Sequence, residues 1–359
     1  MKRSIAVIHF NVLEKYPPAM NFILDLKIKK SNLKISVFTT RNNSSFNTLK
    51  FEEIKIWRFG LISNKKIIRY WSYLYYNILT TIILLYEKPK IIVLYETLSV
   101  FPAYVYSIIY KNIKIHIHYH EYMSLPEKLA ASYYMRILFK FEKELLKIFT
   151  CSHTNEDRKA LSLGDNPNLQ MKNISVYPNF PPIHWWSDYG QHKLSYKDGV
   201  IRLVYVGVLD SETMYLENIL IWVKENPQSL ILNIFSQQFS EKTKVLIDKH
   251  VAPNIFLNTA IDYYQLPHEL VKHDIGIVLY NGFIPNHVYS VPNKVYEYLY
   301  CGLFVIADSK LITTVKLGFP KILIVDFNYL DILFIKKEIL KTFIQNQNFT
   351  KQLKLVDFI

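Results

Sequence analysis

Short apolar runs alternate with stretches of helical periodicity along almost the whole chain. In the first half the runs predict strands at SIAVIHF (4–10), KISVFTT (34–40), IKIWRF (54–59), IIVLYE (91–96), IKIHIHY (113–119), KIFTCS (147–152) and ISVYP (174–178). Helical patterns lie between them, at 17–29, 66–87, 98–110, 127–146 and 154–163. Continuous apolar strands separated by helices mark a parallel sheet covered on both faces. The stretch NFPPIHWWSDYGQHKLSYKDG (179–199) interrupts this rhythm with two prolines, little periodicity and a polar end. The alternation then restarts, with strands at 201–207, 230–236, 254–259, 274–280, 303–308 and 321–326. Helices fill 213–225, 240–250, 264–272, 293–301 and 330–344.

The pattern therefore predicts an α/β protein of two doubly wound, Rossmann-like parallel-sheet domains. Their expected extents are 1–180 and 200–359, with 181–199 as linker and the last helix a candidate to pack back on the first domain. A length of 359 residues, half of them hydrophobic, suits two cores of ordinary size. Ligands of such sheets bind beyond the carboxyl ends of the strands, so two facing sheets would enclose a central cleft.

Charge adds an asymmetry that the pattern does not show. Residues 1–180 hold 26 Lys+Arg and 13 Asp+Glu, a net +13, whereas residues 181–359 hold 17 of each, a net zero. The excess points to an anionic partner of the first half: a membrane surface, a nucleic acid or a phosphorylated substrate. YWSYLYYNILTTIILLY (70–86) is 17 uncharged residues behind a basic flank, the lower limit for a membrane span. The alternation favours a buried helix joining two strands. The alternative is an interfacial helix, since Tyr and Trp prefer the headgroup level and neighbouring Lys and Arg attract anionic lipid. Cys151 and Cys301 are the only cysteines, which gives no disulfide framework and fits a reducing cytoplasm. The N-terminal apolar run is too short for a signal peptide.

VPNKVYEYLYCGLFVIA (291–307) is the stretch in which pattern and chemistry coincide. Pro292 suits the first position of a helix, whose free N–H groups and dipole form an anion site. Lys294 and Glu297 are three residues apart and share a face. Such a helix offers phosphate-binding groups at its tip and, one turn in, a carboxylate able to accept from a ribose diol. The plainer alternative is a solvated ion pair. In KIHIHYHEY (114–122), His116, His118 and His120 fall on one side of a strand. His116 and His118 read best as satisfied core histidines. His120 and Glu121, and with them His118, end the strand where they could orient a substrate hydroxyl or take its proton, and His120 could instead touch phosphate. A metal reading is disfavoured because zinc sites usually draw ligands from several elements.

The segment HDIGIVLY…VPNKVYEYLYCGLFVIA resembles the donor-site signature of GT-B glycosyltransferases close to family 4, Pro-x-Lys-x-(Phe/Tyr)-Glu-Tyr-Leu followed by Gly and a buried strand. YVGVLDS (205–211), HYHEYMSLPEKL (118–129) and ISVYPNFPP (174–182) resemble further segments of the family, so the matches spread over 118–307. The resemblance implies the GT-B fold and a nucleotide diphosphate sugar bound by the C-terminal domain. Glu297 matches the glutamate that holds the ribose hydroxyls. Lys294 and the backbone near Asn293 match the diphosphate site, and Gly207 the glycine that lets diphosphate approach. Three departures stand out. Tyr289 replaces the glutamate eight residues before Glu297. VLDSETMYLEN (208–218) lacks the basic residues that usually follow the glycine. Phe304 replaces a proline.

These readings converge on a metal-independent glycosyltransferase, a hexosyl or N-acetylhexosaminyl transferase needing no cofactor. It would use a nucleotide diphosphate sugar and a glycan or polyprenyl-linked acceptor in capsule or O-antigen type surface polysaccharide synthesis. The expected location is cytoplasmic and peripheral on the anionic inner membrane face, with no nucleic acid partner. The chain has no Asp-x-Asp, Gly-x-Gly-x-x-Gly, Walker A or Gly-x-Ser-x-Gly motif, which weakens GT-A, NAD, NTPase and serine-hydrolase readings. A sugar-nucleotide epimerase, or a silent glycosyltransferase-like subunit, fits the same paired domains.

Overall fold

The computed structural model describes residues 4–30, 32–41, 54–166, 169–190, 199–236 and 239–345. The chain divides into two compact units, Met1–Pro182 and Ile183–Ile359.

The first unit carries seven strands: β1 (Ser4–His9), β2 (Lys34–Thr39), β3 (Ile54–Arg58), β4 (Ile91–Tyr95), β5 (Lys114–Tyr119), β6 (Thr150–His153) and β7 (Ile174–Val176). They form one parallel sheet in the order β3-β2-β1-β4-β5-β6-β7. Ile8, Ile92, Leu94, Ile115 and Ile117 bury on it beneath Tyr76, Tyr106 and Leu138 of the covering helices. The second unit carries β8 (Ile201–Val206), β9 (Leu230–Phe235), β10 (Ile255–Asn258), β11 (Ile275–Val278), β12 (Phe304–Asp308) and β13 (Ile322–Val325). Their order is β10-β9-β8-β11-β12-β13, again parallel throughout. Leu203, Ile234, Ile277, Ile306, Leu220 and Val223 fill this core. In both sheets the strand order reverses beside the first strand, between β1 and β4 and between β8 and β11. Such switch points leave a crevice at the carboxyl ends of the strands where ligands of doubly wound sheets bind.

Every predicted strand is present, with ends moved by one to three residues. The differences lie in helices and connections, and each has a local cause. The expected helix 127–146 is two helices, Leu125–Ala130 and Tyr133–Leu146. The break falls at Ala131, whose backbone is extended, and Ser132, whose side chain accepts from Met135 N–H and caps a new helix. Residues 183–189 of the expected linker form a helix in the second unit, because Trp185 buries against Tyr263 and Trp186 meets Tyr300. Residues 191–198 lie outside the described residues. The last described helix, Ile332–Gln345, buries Ile335 and Ile339 in the second unit's own core. Residues 346–359 lie outside the described residues.

The helix Lys66–Glu87 joins β3 to β4 as the alternation requires. Only one of its faces is buried, through Tyr73, Tyr76, Asn77, Thr80 and Leu84. It stops at Lys88, in the left-handed region and before Pro89, where a helix cannot easily continue. No helix among the described residues is long and apolar enough to cross a membrane.

Candidate functional site

The second unit brings Gly207, Lys294 and Glu297 together at its switch point. Gly207 follows β8, with φ at +129°, a conformation L side chains rarely adopt. A Cβ on it would sit 3.3 Å from Lys294 Nζ, so the glycine keeps space beside the cation. Lys294 lies in the first turn of the helix Asn293–Tyr300, which Pro292 precedes as N-cap rather than opening as its first residue. That helix is seated by Tyr298, whose hydroxyl accepts from Val206 N–H at 3.2 Å. Tyr298 packs over Gly276 of β11, where any Cβ would fall 2.0 Å from the ring. Two glycines and one tyrosine thus set the helix start against the ends of β8 and β11.

Lys294 Nζ donates to Tyr205 Oη at 3.1 Å and stands over the rings of Tyr205 and Tyr280, at 4.3 and 5.2 Å from their centroids. Burial pushes its pKa down to about 8, partly offset by the charge of Glu297. Glu297 is buried, at 7 % exposure, and its carboxylate accepts no hydrogen bond among the described residues. Burial raises its pKa to about 7, against the opposing pull of Lys294. One turn earlier, Asn293 Oδ1 is buried and also without a donor. Residues 293 and 297 share a helix face, so two unused acceptors and one desolvated cation line the same helix start. An anion carrying hydroxyl donors beside its charge would satisfy all three. Tyr289 closes the short helix Pro285–Val288 and is half-buried. His287 of that helix stacks on Tyr280 at 3.8 Å, tying this loop to the ring beside Lys294. The acidic stretch after Gly207 is folded on itself: Asp210 accepts from Glu212 N–H and Thr213 Oγ1, which holds its pKa below the usual range.

The first unit gathers a different set at the ends of β1, β4, β5 and β7. His120 Nδ1 accepts from Asn179 Nδ2 at 2.7 Å, which leaves the proton of the neutral ring on Nε2. Burial, then the nearby Arg158 charge, hold its pKa down to about 4, so at neutral pH it presents an N–H donor. Its backbone N–H and that of Glu121 both donate to Glu96 Oε1, at 2.7 and 3.1 Å, and Tyr16 Oη adds a third bond at 3.2 Å. Glu121 contributes this N–H; its side chain is exposed. Glu96 has φ 62° and ψ 162°, a region nearly reserved for glycine, held by its N–H bond to His118 O. Burial first, and then the Glu121 charge, raise its pKa to about 7. Its Oε2 accepts nothing among the described residues. His116 and His118 bond the hydroxyls of Thr150 and Ser152 at 2.8 to 2.9 Å, as core histidines do.

The sequence did not single out Tyr16, Glu96 or Asn179, which the structure brings to His120. Glu96 ends an apolar strand, a signal that was present but common. Asn179 stands in the Pro-Asn step, whose geometry alone reveals its use on His120. No group of three His, Cys, Asp or Glu side chains able to hold a metal occurs among the described residues.

Two parallel-sheet α/β domains of this topology are the architecture of the GT-B glycosyltransferases, and the comparisons with solved structures agree. The sucrose-phosphate synthase of Thermosynechococcus elongatus superposes with a TM-score of 0.67 at 14% identity, covering 96% of this chain and 90% of that one. An E. coli trehalose-6-phosphate protein bound with UDP-2-fluoro glucose gives 0.64 at 13% identity over 95% and 90% of the two chains. The lipopolysaccharide outer core galactosyltransferase WaaB gives 0.54 at 12% identity over 85% and 80%. No family model matches the chain, and no curated protein does.

Proposed function

We propose that the protein is a glycosyltransferase that moves one sugar from a nucleotide diphosphate sugar to a glycan or polyprenyl-linked acceptor. The observation that carries this reading is the juxtaposition of Gly207, Lys294 and Glu297 at a switch point of the second sheet. It occurs in a fold shared with a protein that binds UDP-2-fluoro glucose. In transfer, the anomeric C–O bond to the diphosphate breaks, and its electron pair leaves with the diphosphate. The acceptor oxygen forms the new bond and loses its proton. Lys294 and the free amides at the helix start face the growing diphosphate charge, the role fixed positive groups play in lowering such barriers. Glu297, with Asn293 Oδ1, holds the ribose. This assigns charge neutralisation to protein groups and needs no metal.

On the acceptor side Glu96 Oε2 takes the hydroxyl proton, its raised pKa matched to neutral pH. The Nε2–H of His120 donates to an acceptor or phosphate oxygen. The basic first half suits work at the anionic inner face of a membrane, and synthesis of surface polysaccharide is the pathway class this acceptor implies.

Thermal-shift screening against UDP-, GDP- and CMP-sugars tests the reading. A ligand of the native state raises the midpoint by mass action, so one base should stand out and release its nucleoside diphosphate with an acceptor. A flat response to all three overturns the proposal. A response without diphosphate release supports an epimerase instead.

A further inference from the structure

We propose that the outward face of the helix Lys66–Glu87, continued by the helix Leu125–Ala130 and the start of the helix Tyr133–Leu146, is a docking surface for an anionic lipid bilayer. The idea rests in part on a lipid-linked acceptor but stands on its own observations. The core face of this helix is Tyr73, Tyr76, Asn77, Thr80 and Leu84. The opposite face repeats apolar residues at helical spacing: Ile67, Trp71, Leu74, Ile78, Ile82 and Tyr86, with exposures of 74, 61, 39, 47, 55 and 81 %. An exposed helix face is ordinarily polar. This one bears no charge from Tyr70 to Tyr86, about 25 Å of helix.

Its ends are basic. Lys65, Lys66 and Arg69 stand exposed at the start, and Lys88 and Lys90 just past the end. The single acid, Glu87, is paired with Lys55 at 3.2 Å. The face extends sideways. Tyr134 packs on Tyr73 and Tyr70, at 4.8 and 6.4 Å between centroids, and beside it Leu125, Leu129 and Tyr133 are exposed at 46, 69 and 73 %. Glu127 in this stretch is engaged by Ser124 in a capping box. Leu125 follows Glu121 by four residues in the chain, so this surface and the His120–Glu96 cluster belong to the same unit.

Charge selects the occupant. Pairing this face with a second copy, in either helix direction, brings two basic ends together. An anionic headgroup layer neutralises both ends while the apolar middle enters the interface, the arrangement of an interfacial amphipathic helix.

The test is flotation of the full chain with phosphatidylcholine vesicles and with vesicles containing phosphatidylglycerol. Binding is expected only to the second, weakening as salt rises, with a blue shift of tryptophan emission that Trp71→Phe removes. Replacing Lys65, Lys66 and Arg69 by Gln should weaken binding about fivefold per residue. Ile78→Ser with Ile82→Ser, both exposed, should weaken it at least tenfold at an unchanged melting temperature. No binding to phosphatidylglycerol vesicles at low salt, or binding indifferent to the two serines, overturns the proposal. So does a concentration-dependent dimer that the serines dissociate, which would assign the face to a second copy. Donor binding is measured separately. Lost vesicle binding with intact donor binding defeats the surface alone, and the converse defeats the catalytic reading alone.

Discussion

Lys294→Met separates a binding residue from a structural one. Methionine keeps the length and apolar stem of lysine and removes the charge. Burial has lowered the lysine pKa from 10.5 to about 8, which corresponds to a cost of about 3 kcal/mol for holding the cation there. Its stack over Tyr205 and its bond to Tyr205 Oη return about 1–2 kcal/mol. Removing the charge should therefore leave the empty protein equally stable or raise its melting temperature by a few degrees. With donor present the balance reverses. A charge-assisted bond to diphosphate contributes about 1.5–3 kcal/mol, so the variant should bind nucleotide sugar about 10- to 150-fold more weakly. Calorimetric titration of both proteins, with thermal melts without ligand, gives the two quantities. An unchanged Kd together with a lower melting temperature would show that Lys294 braces the fold and that the donor assignment is wrong.

Other variants probe the rest of the site. Glu297→Gln should cost donor affinity about 10-fold or more without loss of thermal stability, because a buried charge is removed; a stable variant binding normally would contradict the ribose role. Gly276→Ala should destabilise the second unit by about 1–3 kcal/mol in denaturant unfolding, since its Cβ displaces Tyr298. Glu96→Gln should lower kcat by about 10²- to 10⁴-fold with donor Kd unchanged, and a wild-type rate would remove Glu96 from the chemistry. Donor affinity should peak between about pH 7 and pH 8. Glu297 must be ionised, so binding weakens as pH falls below its raised pKa. Lys294 must be protonated, so binding weakens as pH rises above its lowered one. Glu297→Gln should flatten the acid limb and Lys294→Met the alkaline limb; identical profiles for all three proteins would refute the assignment.

The strands were legible because buried parallel strands leave continuous Ile/Val-rich runs such as IIVL and FVIA, which few other structures produce. The helix breaks were not, since Ser132 and the Trp185–Trp186 anchor act through single local contacts inside otherwise ordinary stretches. The grouping of Gly207, Lys294 and Glu297 proposed as the donor site was also foreshadowed in the sequence, because Lys294 and Glu297 lie within one turn and Gly207 closes a strand. Of the cluster proposed for the acceptor, only His120 and the Glu121 backbone lay in a stretch the sequence singled out. His120, Glu96, Asn179 and Tyr16 come from four separate parts of the chain, and only the sheet order makes them neighbours. The helix 66–87 shows the same limit: its periodicity carries one apolar stripe for the core and a second for the outside, and nothing in the pattern tells which is covered.

A structure of the protein with a bound nucleotide diphosphate tests the proposed donor site most directly. Diphosphate oxygens within hydrogen-bond reach of Lys294 Nζ and the amides at the start of the helix Asn293–Tyr300, with the ribose diol on Glu297, are the expected result. A nucleotide bound elsewhere, with Glu297 still unpartnered beneath its helix, would contradict it.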